Sequence, residues 1–242
     1  MQMLAKQSNS VFVGVGLGPG DPENVTFKAL NRLRAADRVF GPVMSIDVEG
    51  RAESILRQAA PEITVERLVF AIVRDDDLRA TAHTAAAKRV ATCLDAGETV
   101  GFITLGDPNV YSTFHHLANA VVALRPETSI ETVPGIMAFQ DLAARTQTMV
   151  VDGSERLHLV SAVDGADVLD AALADPEAAI VIYKGGRHLE EIAERLAAVG
   201  RLDGAIFGEL LGLPGESIGP LGDAAGRSTY LASVVVPPAR RH

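Results

Sequence analysis

The sequence predicts a two-lobed α/β protein, with a mainly parallel N-terminal sheet covered by helices on both faces and a mixed C-terminal sheet. Three observations lead there. Short apolar runs alternate with longer amphipathic stretches over the first 150 residues, the pattern of parallel strands joined by helices. Several of those runs stop abruptly in Gly/Pro turns. Near the C-terminus, a Gly/Pro-rich segment separates closely spaced apolar runs, which favours antiparallel pairing.

Val11–Val15 is a buried-strand run that ends in a glycine-rich turn. Thr26–Ala35 follows with Phe27, Leu30 and Leu33 at helical spacing behind an Asn24/Thr26 cap. Arg38–Phe40 reads as a strand, and Arg51–Gln58 and Ala80–Ala96 as helices. Thr99–Ile103 is the next strand, Val110–Leu124 a helix, Ser129–Val133 a strand and Met137–Thr148 a helix. Val150–Glu155 is polar and contains glycine, which divides the chain into lobes of residues 1–150 and 151–242. In the second lobe, Leu157–Val160, Ala179–Tyr183, Ala205–Phe207 and Ser228–Val236 read as strands. Asp167–Leu173 and Leu189–Val199 read as helices, and Gly208–Gly226 as turn with a short hairpin strand.

Composition narrows the function classes. The chain has 242 residues, 48% of them hydrophobic and 22% charged, a globular balance. Trp is absent and aromatics make up 5%, so the core is aliphatic. A single cysteine, Cys93, excludes an intrachain disulfide framework and suits a reducing cytoplasm. It lies in a helix-like run and reads as a buried thiol. No apolar stretch reaches 18 residues, so no membrane partner is expected. Met1–Ser10 carries only Lys6 and no apolar run, unlike a signal peptide. The net charge of −9 argues against nucleic acid as a partner, since that affinity comes from cationic neutralisation of phosphates. Asp75-Asp76-Asp77 reads as a solvated loop or helix start.

The Gly14-x-Gly16-x-Gly18-Pro19-Gly20-Asp21-Pro22 turn follows a strand but fits a dinucleotide fingerprint poorly. Pro19 and Pro22 interrupt it and remove N–H donors, and Gly41-Pro42 stands where a ribose-binding acid would be expected. Two readings of these glycines stay open: tight-turn geometry, or bare backbone against a bulky ligand. Thr104–Thr113 is more telling. A buried strand presents Gly106-Asp107-Pro108 at its carboxyl end, where open α/β sheets bind ligands, and Ser112 and Thr113 add hydroxyls. Thr132–Ala138 and Ile182–Gly186 are further strand-end turns of this kind. Nucleophile-elbow, H-E-x-x-H and P-loop motifs are all missing. His115 and His116 are adjacent, which on a helix points them to different faces, so no metal is expected.

Four segments together, Leu17–Pro22 (LGPGDP), Ala35–Val39 (AADRV), Phe102–Pro108 (FITLGDP) and Val133–Ile136 (VPGI), resemble the tetrapyrrole methylase family, in order along nearly the whole chain. Gly106–Phe114 (GDPNVYSTF) most resembles its cobalamin-pathway branch that methylates C20 of precorrin-2 or cobalt-precorrin-2. The resemblance implies S-adenosylmethionine as cofactor in a cleft between the lobes, S-adenosylhomocysteine as product, a tetrapyrrole substrate, and a homodimer; the cysteine usage adds the expectation of a cytoplasmic location. It implies cofactor contacts at Leu105, Gly106, Asp107, Val110, Ser112 and Thr113, then Met137, Ala138, Tyr183, Lys184, Leu211 and Ala232. It turns Gly18, Pro19, Gly20 and Asp21 towards the substrate. There are two departures. Gly41-Pro42 replaces an acidic residue carried by relatives that methylate uroporphyrinogen, and Phe70-Ala71-Ile72 replaces the F-P-M common in C20 enzymes. Lys28, Arg51, Arg74, Arg79 and Arg187 are candidate partners for substrate carboxylates. The resemblance leaves the general base unassigned.

Overall fold

The computed structural model describes residues 10–70, 76–224 and 230–240. The chain divides into two compact units, residues 1–136 and 137–242.

The first unit is built on five parallel strands: β1 (Val11–Gly16), β2 (Arg38–Val43), β3 (Glu66–Val69), β4 (Val100–Thr104) and β5 (Ser129–Val133). Their spatial order is β3-β2-β4-β1-β5. Helices α1 (Phe27–Arg34) and α2 (Arg51–Ala59) pack on one face, where Leu33, Ile55 and Leu56 meet Val13, Val15, Val39 and Ile103. Helices α3 (Asp76–Asp95) and α4 (Phe114–Leu124) cover the other, where Val90, Leu94, Leu117 and Val121 meet Phe12, Phe40 and Phe102. Phe12 and Val13 thus face opposite cores, as the two-residue side-chain period of a strand requires. Cys93 is buried, as expected.

Neighbouring strands β1 and β4 send their chains to helices on opposite faces. Their carboxyl ends form the topological switch point of the sheet, the place where open α/β sheets leave a crevice. The two Gly/Pro motifs of the sequence sit on those two ends.

Helix α3 begins at Asp76, four residues before the expected Ala80, and three further differences from the sequence expectation have a local reason. Strand β3 was not foreseen. It is four residues long, and Glu66 and Arg67 spend their side chains on ion pairs with Arg38 and Glu53, so it lacks an apolar run. Strand β2 runs on through Gly41-Pro42 to Val43, three residues beyond Phe40. A Cβ on Gly41 would lie 2.9 Å from the Val65 side chain, so glycine here admits a close neighbour. Helix α4 starts at Phe114 instead of Val110, because Tyr111 takes φ +48° and Ser112 Oγ accepts the Phe114 N–H at 3.1 Å.

The second unit opens with α5 (Ala138–Arg145) and holds β6 (Arg156–Ser161), α6 (Leu169–Leu173), β7 (Ala178–Tyr183), α7 (Leu189–Ala198), β8 (Ile206–Glu209), β9 (Ser217–Pro220) and β10 (Ala232–Val236). The sheet order is β6-β7-β10-β8-β9, with β6 and β7 parallel and every other pair antiparallel. This is the mixed sheet expected. Helices α6 and α7 bury Leu169, Ile192 and Leu196 against Ile180, Ile182, Val234 and Val236. On the other face, Phe139 and Leu142 of α5 pack with Val181, Leu211 and Val235. That contact places the boundary at Ile136/Met137 and not near residue 150, because the apolar stripe of α5 is buried against the second sheet. Part of the strand expected at Ser228–Val236 lies outside the described residues; the described strand starts at Ala232.

Candidate functional site

Three turns converge on the switch point of the first unit. The Leu17 N–H donates to the Thr104 carbonyl at 3.0 Å and the Gly106 N–H to the Gly18 carbonyl at 2.8 Å, so the glycine turn after β1 is bridged to the Gly-Asp-Pro turn after β4. Asp107 fastens the third. Its Oδ1 accepts the Asn109 N–H at 2.8 Å, closing its own turn, and its Oδ2 accepts the Gly135 N–H of the turn after β5 at 3.1 Å. Asn109 adds a bond from Nδ2 to Thr132 Oγ1 at 3.2 Å.

Glycine is required where these backbones meet. A Cβ on Gly135 would fall 2.1 Å from the Gly106 carbonyl oxygen, and one on Gly16 would fall 2.4 Å from that same oxygen. Gly14 has a different cause: a Cβ there would sit 2.5 Å from the Phe114 ring, which packs onto the bare strand and against Phe12 at 5.2 Å between centroids. Gly14 and Gly16, both within β1, are therefore explained by contacts with the Gly106–Phe114 motif and the Gly135 turn. Gly106 itself takes φ +61°, which favours glycine, and no described atom lies within 4 Å of where its Cβ would project.

The expected site residues of this unit are thus brought together, though several are occupied structurally. Leu105, Gly106, Asp107 and Val110 are half-buried along the edge. Ser112 Oγ lies 3.0 Å from Thr104 Oγ1 and caps α4, while Thr113 is exposed at the helix start. Gly18, Pro19 and Gly20 are buried, and Asp21 Oδ1 accepts the Glu23 N–H at 2.8 Å to start a 3-10 turn. Lys28 and Arg51 are exposed near the starts of α1 and α2. Arg74 and the side chain of Arg79 lie outside the described residues. The sequence reading did not single out Gly16, Thr104, Asn109 or Thr132 as architectural partners, because only the register of β1, β4 and β5 puts them side by side.

In the second unit one sheet edge gathers the remaining residues. Tyr183 ends β7, Glu209 ends β8 and Ala232 begins β10, with Ser233 opposite Tyr183 and Ala232 opposite Glu209. Met137, Ala138 and Tyr183 pack with Leu211 in one cluster. The Tyr183 hydroxyl accepts the Phe139 N–H at 3.1 Å, satisfying one of the donors that a helix start leaves unpaired. Arg145 of α5 bonds Glu216 at 2.6 Å and Asp141 at 3.0 Å, steadying the turn after Leu211. Burial opposes the Arg145 charge, yet these two carboxylates hold the guanidinium above its ordinary range. Lys184 takes φ +60° and carries its ammonium 5.7 Å from the centre of the Tyr230 ring. Ala232 is near these residues along the edge, but its side chain joins the core on the opposite face, so only its backbone is shared with them. Arg187 is exposed.

The ends of the parallel strands β1 and β4 are thus joined by backbone bonds, and among the described residues no group of three or more His, Cys, Asp or Glu side chains is placed to hold a metal. Residues 11–225 match the model of one family, Tetrapyrrole (Corrin/Porphyrin) Methylases. The chain belongs to that family. Among similar tetrapyrrole methylases, the chain is 35% identical to Precorrin-2 C(20)-methyltransferase of Sinorhizobium sp., over 93% of this chain and 94% of that one. It is 28% identical to Cobalt-precorrin-2 C(20)-methyltransferase of Salmonella typhimurium, over 86% of each chain. Among solved structures, the cobalt precorrin-4 methyltransferase CbiF superposes with a TM-score of 0.70 over 97% of this chain and 98% of the other, at 18% identity. That last likeness is one of fold, and it matches the tetrapyrrole methylase architecture expected from the sequence.

Proposed function

We propose that this chain is an S-adenosylmethionine-dependent C-methyltransferase of cobalamin biosynthesis, acting at C20 of precorrin-2 or of its cobalt complex. The observation that carries the reading is the similarity to a C(20)-methyltransferase along 93% of the chain, at 35% identity. The Gly106–Phe114 motif supports it, as does Gly41-Pro42 in place of the acidic residue of uroporphyrinogen methylases.

The edge suits the cofactor. Gly106, at φ +61°, opens onto space that a side chain would fill, beside the backbone groups of Leu105 and Asp107. In this proposal Leu105–Asp107, Val110, Ser112 and Thr113 hold the cofactor from the first unit. Met137, Ala138, Tyr183, Lys184, Leu211 and the Ala232 backbone hold it from the second. Gly18–Asp21 face the tetrapyrrole, with Lys28, Arg51 and Arg187 as candidate partners for its carboxylates.

When bound, S-adenosylmethionine supplies an electrophilic methyl on a sulfonium whose departing thioether is neutral. The leaving group needs no proton, a meso carbon conjugated to pyrrole nitrogens is already nucleophilic, and the proton that the new methyl displaces from that carbon passes to solvent. The chain's task is to fix the approach, and orientation of this kind is worth up to roughly 7–11 kcal/mol. Asp107 serves by holding two turns in register, not as an acid or base.

The proposal includes a homodimer and a cytoplasmic location. Among the described residues, no helix is long and apolar enough to cross a membrane. The deciding experiment incubates purified protein with S-adenosylmethionine and either precorrin-2 or cobalt-precorrin-2, under conditions in which a known C20-methyltransferase turns over. NMR of the product should place one new methyl on C20. A methyl on another carbon would move the chain to a sister activity, and no methylated product from either substrate would refute the reading. Light scattering tests the dimer, and cell fractionation the location.

A further inference from the structure

Tyr111 combines an unfavourable backbone with an exposed aromatic ring. Its φ of +48° is left-handed, a conformation that glycine, Asn and Asp adopt far more readily than a bulky side chain. Its side chain cannot be credited with filling the core, since the residue is 44% exposed. Both flanks fix it there. On one side, Asp107 and Asn109 are bonded to Gly135 and Thr132. On the other, Ser112 is bonded to Thr104 and to the Phe114 N–H, and Phe114 is packed against bare Gly14. These flanking bonds hold Tyr111 in the turn at the carboxyl edge of the sheet, at the switch point. Strained residues held by well-determined surroundings concentrate where a ligand is gripped.

We infer that Tyr111 is a substrate-recognition residue whose ring lies against the conjugated face or rim of the tetrapyrrole. The inference rests on the proposed function and deepens it by naming a residue that discriminates substrate from cofactor. An aromatic ring suits a flat, π-rich macrocycle, and its hydroxyl can additionally meet a carboxylate arm. A purely architectural role predicts the opposite pattern, because a turn that wants φ +48° is best served by glycine.

The experiment compares Tyr111→Gly, Tyr111→Asn and Tyr111→Phe with the wild type. The Gly and Asn variants should melt at or above the wild-type temperature and bind S-adenosylhomocysteine within about twofold, while the KM for precorrin-2 rises about tenfold, the scale of one lost aromatic contact. The Phe variant keeps the ring and should stay within about threefold of wild type in KM, a difference under 1 kcal/mol. Titration with uroporphyrin, a stable octacarboxylate porphyrin followed by its own emission, reads tetrapyrrole affinity without any methyl transfer. Tyr111→Gly should weaken that affinity about tenfold. Unchanged tetrapyrrole KM and affinity in Tyr111→Gly would overturn the inference, as would an equal loss of S-adenosylhomocysteine binding. If the wild type methylates neither precorrin-2 nor cobalt-precorrin-2, the proposed function falls, and the uroporphyrin titration still decides the role of Tyr111. A wild type that methylates neither substrate and does not bind uroporphyrin overturns both.

Discussion

Replacing Gly135 by alanine tests the most constrained point of the candidate site. The added Cβ would sit 2.1 Å from the Gly106 carbonyl oxygen and 2.9 Å from two backbone atoms of Gly16. Ordinary contact begins at about 3.5 Å, so the turn after β5 or the one after β4 has to retreat by roughly 1.4 Å. All the obstructing atoms are backbone, so no side chain can rotate away. Overpacking of this kind costs about 1–3 kcal/mol. The displacement also breaks the 3.1 Å bond from the Gly135 N–H to Asp107, and a bond to a charged group contributes about 1.5–3 kcal/mol. Since the two losses share one movement, the expected total is about 2–4 kcal/mol, or about 5–10 °C in Tm for a chain of this size. The retreat moves the Leu105–Asp107 edge, so affinity for S-adenosylhomocysteine should fall about tenfold or more, as a misplacement near 1 Å can cost. Differential scanning fluorimetry and titration calorimetry read the two effects. Gly204→Ala is the control, since no described atom lies within 4 Å of the added methyl. A Gly135→Ala protein that melts within about 1 °C of wild type, a shift worth under 0.5 kcal/mol, and binds S-adenosylhomocysteine normally would refute the argument.

Asp107→Asn retains an acceptor for one of the two N–H groups but turns an amide N–H towards the other, so about 1–3 kcal/mol of stability should be lost. Weakened S-adenosylhomocysteine binding with an unshifted pH–rate profile would mark Asp107 as positioning; a displaced profile would restore it as an acid or base. Tyr183→Phe leaves the Phe139 N–H without its acceptor and should lower stability by about 1 kcal/mol, read by urea denaturation; an unchanged midpoint would mean water replaces the hydroxyl at no cost. Burial, followed by a hydrogen bond with Glu98, pushes the Cys93 thiol above its ordinary range, so native protein should react with a disulfide reagent far more slowly than unfolded protein. The raised folded value makes this contribution complete below the unfolded thiol pKa of about 8.5 and lost as pH rises towards the folded one. Melting curves from pH 8 to 10 should accordingly fall more steeply for wild type than for Cys93→Ala.

Much of this architecture is legible in the sequence because it rests on local signals. Val11–Val15 and Thr99–Ile103 are apolar runs ended by glycine turns, and both are central strands flanked on each side. Amphipathic spacing marks α1, and Thr26 caps it as its side chain suggests, accepting the Ala29 N–H at 3.1 Å. What escaped reading depends on partners distant in sequence. Strand β3 carries charged side chains whose partners lie on β2 and α2, so its alternation is hidden. The start of α4 depends on a left-handed Tyr111 and a hydroxyl bond from Ser112, neither of which propensity reveals. The assignment of α5 to the second unit required knowing which sheet would accept Phe139 and Leu142. Within the site, the Leu105–Asp107 edge was visible as a motif, whereas the bond from Gly135 to Asp107 spans 28 residues and appears only once β1, β4 and β5 are in register.

That bond also explains why a carboxylate at the centre of the site need not be an acid–base group. A general base needs a free lone pair aimed at the proton it removes. Both Asp107 oxygens already accept backbone N–H groups from two different turns, so the orientation of the carboxylate is fixed by the fold. Turning Asp107 towards a proton on the substrate would break the bond that keeps the turns of β4 and β5 together, and with it the edge proposed to seat the cofactor. A methyl transfer whose leaving group needs no proton, and whose displaced C20 proton passes to solvent once the new bond has formed, makes no such demand. The same geometry that fixes Asp107 is the geometry that orientation requires, so the scarcity of acid–base side chains among the described residues at the first unit's edge is consistent with the reaction proposed for it.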